Sequence, residues 1–326
     1  MNIERVHKQI LTSKLLFFAI VFAFVSVRIY SDGNQIDKLS FWGCLLIQMG
    51  IAFLLLQLNH IFNIIQGRTF LPALLYLLFI GSNPVFYNDL KGSIAALCLA
   101  LCYYFLFDSY QKPKSQINAM NISLLLVLGS LLWTPLLIFF PIFWIGFYRF
   151  QSFNWRVFFA SLTGFLIVYL FVFSWSIFQG DKNIFLSLLP NFGSLFTISK
   201  LNFTVLEWIT YGFVIFIFII IGIYLFFIYI SEKIWTIFAL SYLYLSAFFT
   251  LTILFVHSEY KSTLGLICFL PIAILAGHFF SRTNKNSVYY LSLVFFLFFI
   301  GIGIGSVHNH RVSINNDLKI NETIVH

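Results

Sequence analysis

The chain has 326 residues, of which 60% are apolar and only 9% charged, with a formal net charge of +8 and a mean hydropathy of +0.94. Water-soluble domains carry roughly a quarter charged residues, so a water-facing globule is excluded: there is too little polar side chain to cover it. Apolar runs recur from end to end, and the excess of Lys and Arg reads as a topology signal rather than a nucleic-acid footprint.

In chain order, Arg5, Lys8 and Lys14 precede the first apolar run, residues 15–30. No small-x-small cleavage site follows it, so the run is expected to stay as an uncleaved first span. Ten further apolar segments follow, at 41–58, 69–82, 92–107, 121–133, 136–147, 157–178, 205–230, 234–256, 262–280 and 287–305. The third, fifth and sixth of the eleven are too short to cross roughly 30 Å of hydrocarbon unaided. They must extend into flanking polar residues or be partly re-entrant.

Residues 121–149 can be read as one long helix or as a hairpin broken at Thr134-Pro135. Lys112 and Lys114 precede the stretch, and Arg149 and Arg156 follow it. A hairpin keeps all four on one side, as the positive-inside bias favours, and Pro135 supplies the break.

With eleven spans and a cytoplasmic N-terminus, eleven Lys and Arg fall inside and eight outside. Tyr30, Trp42, Trp133, Tyr148, Trp155, Trp208 and Trp235 lie near segment ends, where amphipathic rings settle at the membrane interface. The longest connection, 179–204, places Phe185, Leu189, Phe192 and Phe196 at helical spacing around Pro190. That pattern predicts a short helix lying on the outer leaflet.

Motifs for soluble catalysis are missing: there is no GxxxxGK[ST], GxGxxG after a soluble strand, HExxH or CxxC. Cys44, Cys98, Cys102 and Cys268 all sit inside apolar stretches, without the His or carboxylate company of a metal site. Span interiors are nearly free of Asp, Glu, Lys and Arg, which argues against an ion-coupled carrier. Arg28 and Glu207 stand near span ends and are expected to reach the interface.

Charge gathers instead on the face assigned as outer. Arg28, Asp32 and Asp37 follow the first span, and Asp89 lies in Asn83-Pro84-Val85-Phe86-Tyr87-Asn88-Asp89. Lys182 follows the seventh span, and the turn His257-Ser258-Glu259-Tyr260-Lys261 joins two later ones. If these loops converge, Asp32, Asp37 or Asp89 is the candidate base. Arg28, Lys182, His257 and Lys261, with Glu259 beside them, would then bind substrate through its phosphate. Otherwise they are polar simply because outer loops touch water.

Two resemblances extend this reading. The order over residues 70–173 is an apolar hairpin, then Tyr103-Tyr104-Phe105-Leu106-Phe107-Asp108, then a basic loop with Lys112-Pro113-Lys114. A second hairpin broken at Trp133-Thr134-Pro135 follows, then Phe153-Asn154-Trp155-Arg156 entering a long span. It resembles a family of uncharacterised polytopic inner-membrane proteins of Bacteroidota. More loosely, the same layout is similar to the membrane core of GT-C-type glycosyltransferases, which use lipid-phosphate-linked sugars at the outer face. That resemblance implies a catalytic acid in the first outer loop, where Asp32 or Asp37 would stand, although this loop is short.

The expectation is therefore an all-α polytopic membrane protein with about eleven transmembrane helices, N-terminus cytoplasmic and C-terminus periplasmic. Residues 1–306 would form a single membrane domain and 307–326 a polar periplasmic tail. Envelope biogenesis at the periplasmic face of the bacterial inner membrane is the leading function, on a lipid or a polyprenyl-phosphate-linked saccharide. A scaffold subunit contacting other envelope proteins is the alternative, and a carrier or flippase the third. The sequence names no cofactor, metal or nucleic-acid partner.

Overall fold

The computed structural model describes residues 14–31, 39–65, 69–112, 114–180, 203–228, 232–282, 294 and 296–307. The described residues are helical, with no strand among them. This follows from the solvent: in hydrocarbon each backbone N–H and C=O must be satisfied within its own segment, and a helix does so. The helices are α1 (Lys14–Ser31), α2 (Leu39–Phe62), α3 (Leu71–Gly81), α4 (Leu90–Asp108), α5 (Gln116–Leu132) and α6 (Phe140–Arg149). They continue with α7 (Trp155–Gln179), α8 (Val205–Ile228), α9 (Ile234–Val256), α10 (Lys261–Arg282) and α11 (Phe296–Val307). Six of these stretches are long and apolar enough to cross a membrane, which makes this a membrane protein.

Each expected apolar segment contains one helix, and the short ones behave in two ways. α3 has 11 residues and is buried almost throughout. At about 1.5 Å per residue it covers roughly half the hydrocarbon thickness, so it is an interior helix. α5 instead takes in Gln116 and Asn118 and reaches 17 residues.

The backbone contacts divide the chain into two compact units. The first comprises Met1–Leu90, Asn202–Phe226 and Ile272–His326; the second comprises Lys91–Leu201 and Phe227–Pro271.

In the second unit, the stretch 121–149 is a hairpin. α5 stops at Trp133, whose extended backbone (φ −143°, ψ 93°) leads into a 3-10 turn, Thr134–Phe139, with Pro135 near its start. Pro lacks an N–H and its ring resists continuation of the preceding helix. The hairpin's feet meet: Ser115 Oγ donates to Ser152 O at 3.0 Å and Gln111 N to Phe150 O at 3.3 Å. Trp235, at the start of α9, packs on Tyr110 and Phe150 with ring centroids 5.3 and 5.4 Å apart. At the other end of α9, Tyr260 packs on Trp133 at the hairpin tip, 6.0 Å away. Lys112, Arg149 and Lys233 thus gather at one end of this unit and His257–Lys261 at the other.

This geometry has a direct topological consequence. Lys114, Gln151 and Glu259 are exposed. Lys114→Cys and Gln151→Cys should react with a membrane-impermeant maleimide from the same side, and Glu259→Cys from the opposite side. Labelling of Lys114→Cys and Gln151→Cys from opposite sides would refute the hairpin.

Candidate functional site

The polar end of the first unit is built around Arg28. α1 brings its guanidinium into a fully buried position in the last turn. Nη1 donates to Gln48 Oε1 at 2.6 Å, and Nη2 donates to the carbonyls of Phe41, at 3.3 Å, and Tyr87. The ring faces of Phe41 and Tyr87 lie 4.9 and 5.5 Å from the guanidinium carbon, at cation–π range. Gln48 turns its amide to Phe86 O at 2.9 Å. The planar five-donor head of Arg suits this division of labour, which a Lys ammonium could not match. Arg28 was expected to reach the interface; it is instead enclosed by the chain between α3 and α4.

That connecting chain has its own reasons to fold. Asn83 caps a 3-10 turn, Pro84–Phe86, by accepting Val85 N at 3.2 Å, and Tyr87 Oη donates to Gly81 O at 3.0 Å. Ser306 of α11 donates to Ser82 O at 2.8 Å. Asp89, half-buried, immediately precedes α4, where a carboxylate favours the positive helix end.

Facing this chain is the start of α8. Thr204-Val205-Leu206-Glu207 forms a capping box: Glu207 Oε2 accepts Thr204 N at 2.7 Å, and Thr204 Oγ1 accepts Glu207 N at 3.3 Å. Glu207 is thereby held in a single position and is only 2% exposed, not projecting to the interface as expected from sequence. Between the two elements lies a cleft of about 620 Å³, with Asn83, Asn88, Thr204, Glu207 and Ser306 as its polar lining. That size lies within the range of small-molecule sites. Carboxamides and a fixed carboxylate suit a ligand rich in hydroxyl or amino groups.

The other sequence candidates fall elsewhere. Asp32, Asp37 and Lys182 lie outside the described residues, as does most of the expected surface helix at 179–204. His257, Glu259 and Lys261 belong to the second unit. There His257, largely buried, ends α9 by donating its N–H to Ile253 O at 2.8 Å, and its carbonyl accepts Tyr260 N at 3.1 Å. The turn is ordered by its own backbone, with Glu259 exposed and Lys261 half-buried. Of the eight candidates, then, the first unit brings Arg28 and Asp89 to one end. Glu207 was passed over as a site residue, although Thr204-x-x-Glu207 is a legible helix-start signature.

No protein family, curated protein or solved structure matches the chain.

Proposed function

We propose that this protein handles a membrane lipid or lipid-linked glycan at the polar end of its first unit, as a component of envelope biogenesis in a bacterial inner membrane. The observation that carries the reading is the 620 Å³ cleft. Its wall is largely apolar but carries Asn83, Asn88, Thr204 and Ser306 and a buried, hydrogen-bonded carboxylate, and it sits at the end of helices suited to hydrocarbon. A lipid can present its head there without its tail leaving the bilayer. In a glycosyl transfer of the GT-C kind, Glu207 would accept the proton of the attacking hydroxyl as its oxygen bonds to the sugar and the bond from sugar to lipid phosphate breaks.

The same reading takes about eleven spans, the N-terminus cytoplasmic and the C-terminus periplasmic. It is supported by the end of the second unit that gathers Lys112, Arg149 and Lys233, which the positive-inside bias assigns to the cytoplasm. The cleft then opens on the periplasmic side.

Glu207→Gln tests the function cleanly, because Gln also completes a capping box. In a host whose own copy of the gene is deleted, the lipid that accumulates identifies the substrate class by mass spectrometry of membrane extracts. Wild-type protein should clear it. Glu207→Gln, at equal abundance in the membrane, should clear it at least tenfold more slowly, the weight of one charge-assisted hydrogen bond at roughly 1.5–3 kcal/mol. Equal clearance by both proteins would remove the cleft from the function.

A further inference from the structure

The first unit carries a second opening beside the cleft at Glu207. It is an apolar crevice of about 190 Å³ between α1, α3 and α11, walled by Ala23, Phe24, Leu78, Phe299 and Ile300. At its polar end are Gly81 and Gly303. A Cβ on Gly303 would stand 2.9 Å from Gly81 O, so only glycine permits this approach of α11 to the end of α3. Two residues beyond Gly81, and one helical turn beyond Gly303, Asn83 and Ser306 already line the cleft at Glu207. Crevice and cleft therefore flank one hydrogen bond, from Ser306 Oγ to Ser82 O.

An amphiphile matches that pairing: a chain for the crevice and a head for the cleft. The charge of the head can also be read. The one charged side chain lining the cleft among the described residues is the carboxylate of Glu207. The guanidinium of Arg28 is turned to Gln48 and to the carbonyls of Phe41 and Tyr87, and it is fully buried. Placing a phosphate against Glu207 would set like charges together, whereas an ammonium would gain a charge-assisted hydrogen bond.

We propose that the first unit binds an aminolipid, with an acyl chain in the crevice between α1, α3 and α11 and the ammonium of the head group against Glu207. The assignment rests on the cleft being the functional site and names the class of lipid that it takes.

The test is lipid retention by the full-length protein. Protein from nanodiscs holding equal phosphatidylethanolamine and phosphatidylglycerol is released into mild detergent, and its co-purifying lipid is counted by native mass spectrometry. Phosphatidylethanolamine should be retained roughly tenfold over phosphatidylglycerol, as one charge-assisted contact implies. Glu207→Gln should abolish that preference. Ala23→Phe, which fills the crevice, should lower retention of both lipids, whereas Leu170→Phe on the exposed face of α7 should not.

Equal retention of the two lipids by wild-type protein, or a preference that survives Glu207→Gln, would overturn the aminolipid assignment. Unchanged retention by Ala23→Phe would overturn the crevice. The lipid-clearance experiment reads the functional cleft separately: if Glu207→Gln clears slowly while retention shows no head-group preference, the proposed function stands and the aminolipid falls.

Discussion

Arg28→Met should destabilise the protein by about 2–4 kcal/mol. Three acceptors lose a hydrogen bond from the guanidinium: Gln48 Oε1, the Tyr87 carbonyl, and the Phe41 carbonyl, which keeps its place in the backbone ladder of α2. A buried acceptor left unsatisfied costs roughly 1–3 kcal/mol. The loss is partly offset because a charge no longer has to be held out of water. Methionine keeps the apolar stem and much of the volume, so a cavity is a minor part of the effect. Arg28→Lys should lose less, since the positive charge stays, but a single ammonium cannot address both a side-chain amide and two carbonyls on different segments. The measurement is reversible unfolding in bicelles by titration with a denaturing detergent. The chain between α3 and α4 should also become sensitive to protease in Arg28→Met. Wild-type stability in that variant would mean that the guanidinium does not hold the fold, and would return it to the substrate-binding role read from sequence.

How much of this end could be read in advance is a matter of which forces leave a local trace. The helices did so because bilayer thickness and backbone satisfaction act on each segment separately: the eleven apolar runs each hold a helix. The break near Thr134-Pro135 was legible for the same reason, since proline acts on its own turn. The choice of a hairpin over a single span came from Lys112, Lys114, Arg149 and Arg156, which a hairpin keeps on one side.

Burial of Arg28 and Glu207 left no such trace. Near a span end, an ionisable residue can reach the interface or be enclosed, and hydropathy is the same for both. The outcome turns on Pro84–Phe86 folding over the ends of α1 and α2, which is tertiary. The division of Asp89 from the turn at His257 into two units was equally hidden. Domains of soluble proteins are separated by polar linkers, but here the boundary runs through continuous apolar helices such as α10. Glycines are a further case: nothing in the sequence separates those that pack from those that do not.

Gly164 on α7 is the glycine whose replacement should matter most. A Cβ there would overlap Ser123 Oγ of α5 outright and stand 2.8 Å from Met120 O and 3.3 Å from Ser123 Cβ. The serine cannot simply turn aside, because its hydroxyl donates to Met120 O at 2.8 Å. The backbone carbonyl cannot move without bending α5. In hydrocarbon this close approach is what holds two helices together, since there is little hydrophobic drive to pair them. Gly164→Ala should therefore cost about 1–3 kcal/mol and Gly164→Val more, despite the better helix propensity of alanine. Gly212 on α8 has nothing within 4 Å of its Cβ position. Gly212→Ala should gain roughly 0.5–1 kcal/mol, the usual benefit of alanine in a helix interior. Opposite signs for one chemical change would separate packing from propensity. Ser123→Ala combined with Gly164→Ala should recover part of the loss, because it removes the hydroxyl overlap but leaves Met120 O in place. A coupling energy of at least about 0.5 kcal/mol in the double-mutant cycle is expected for residues in contact. Additive losses, or a gain from Gly164→Ala alone, would show that α5 and α7 do not meet at this crossing.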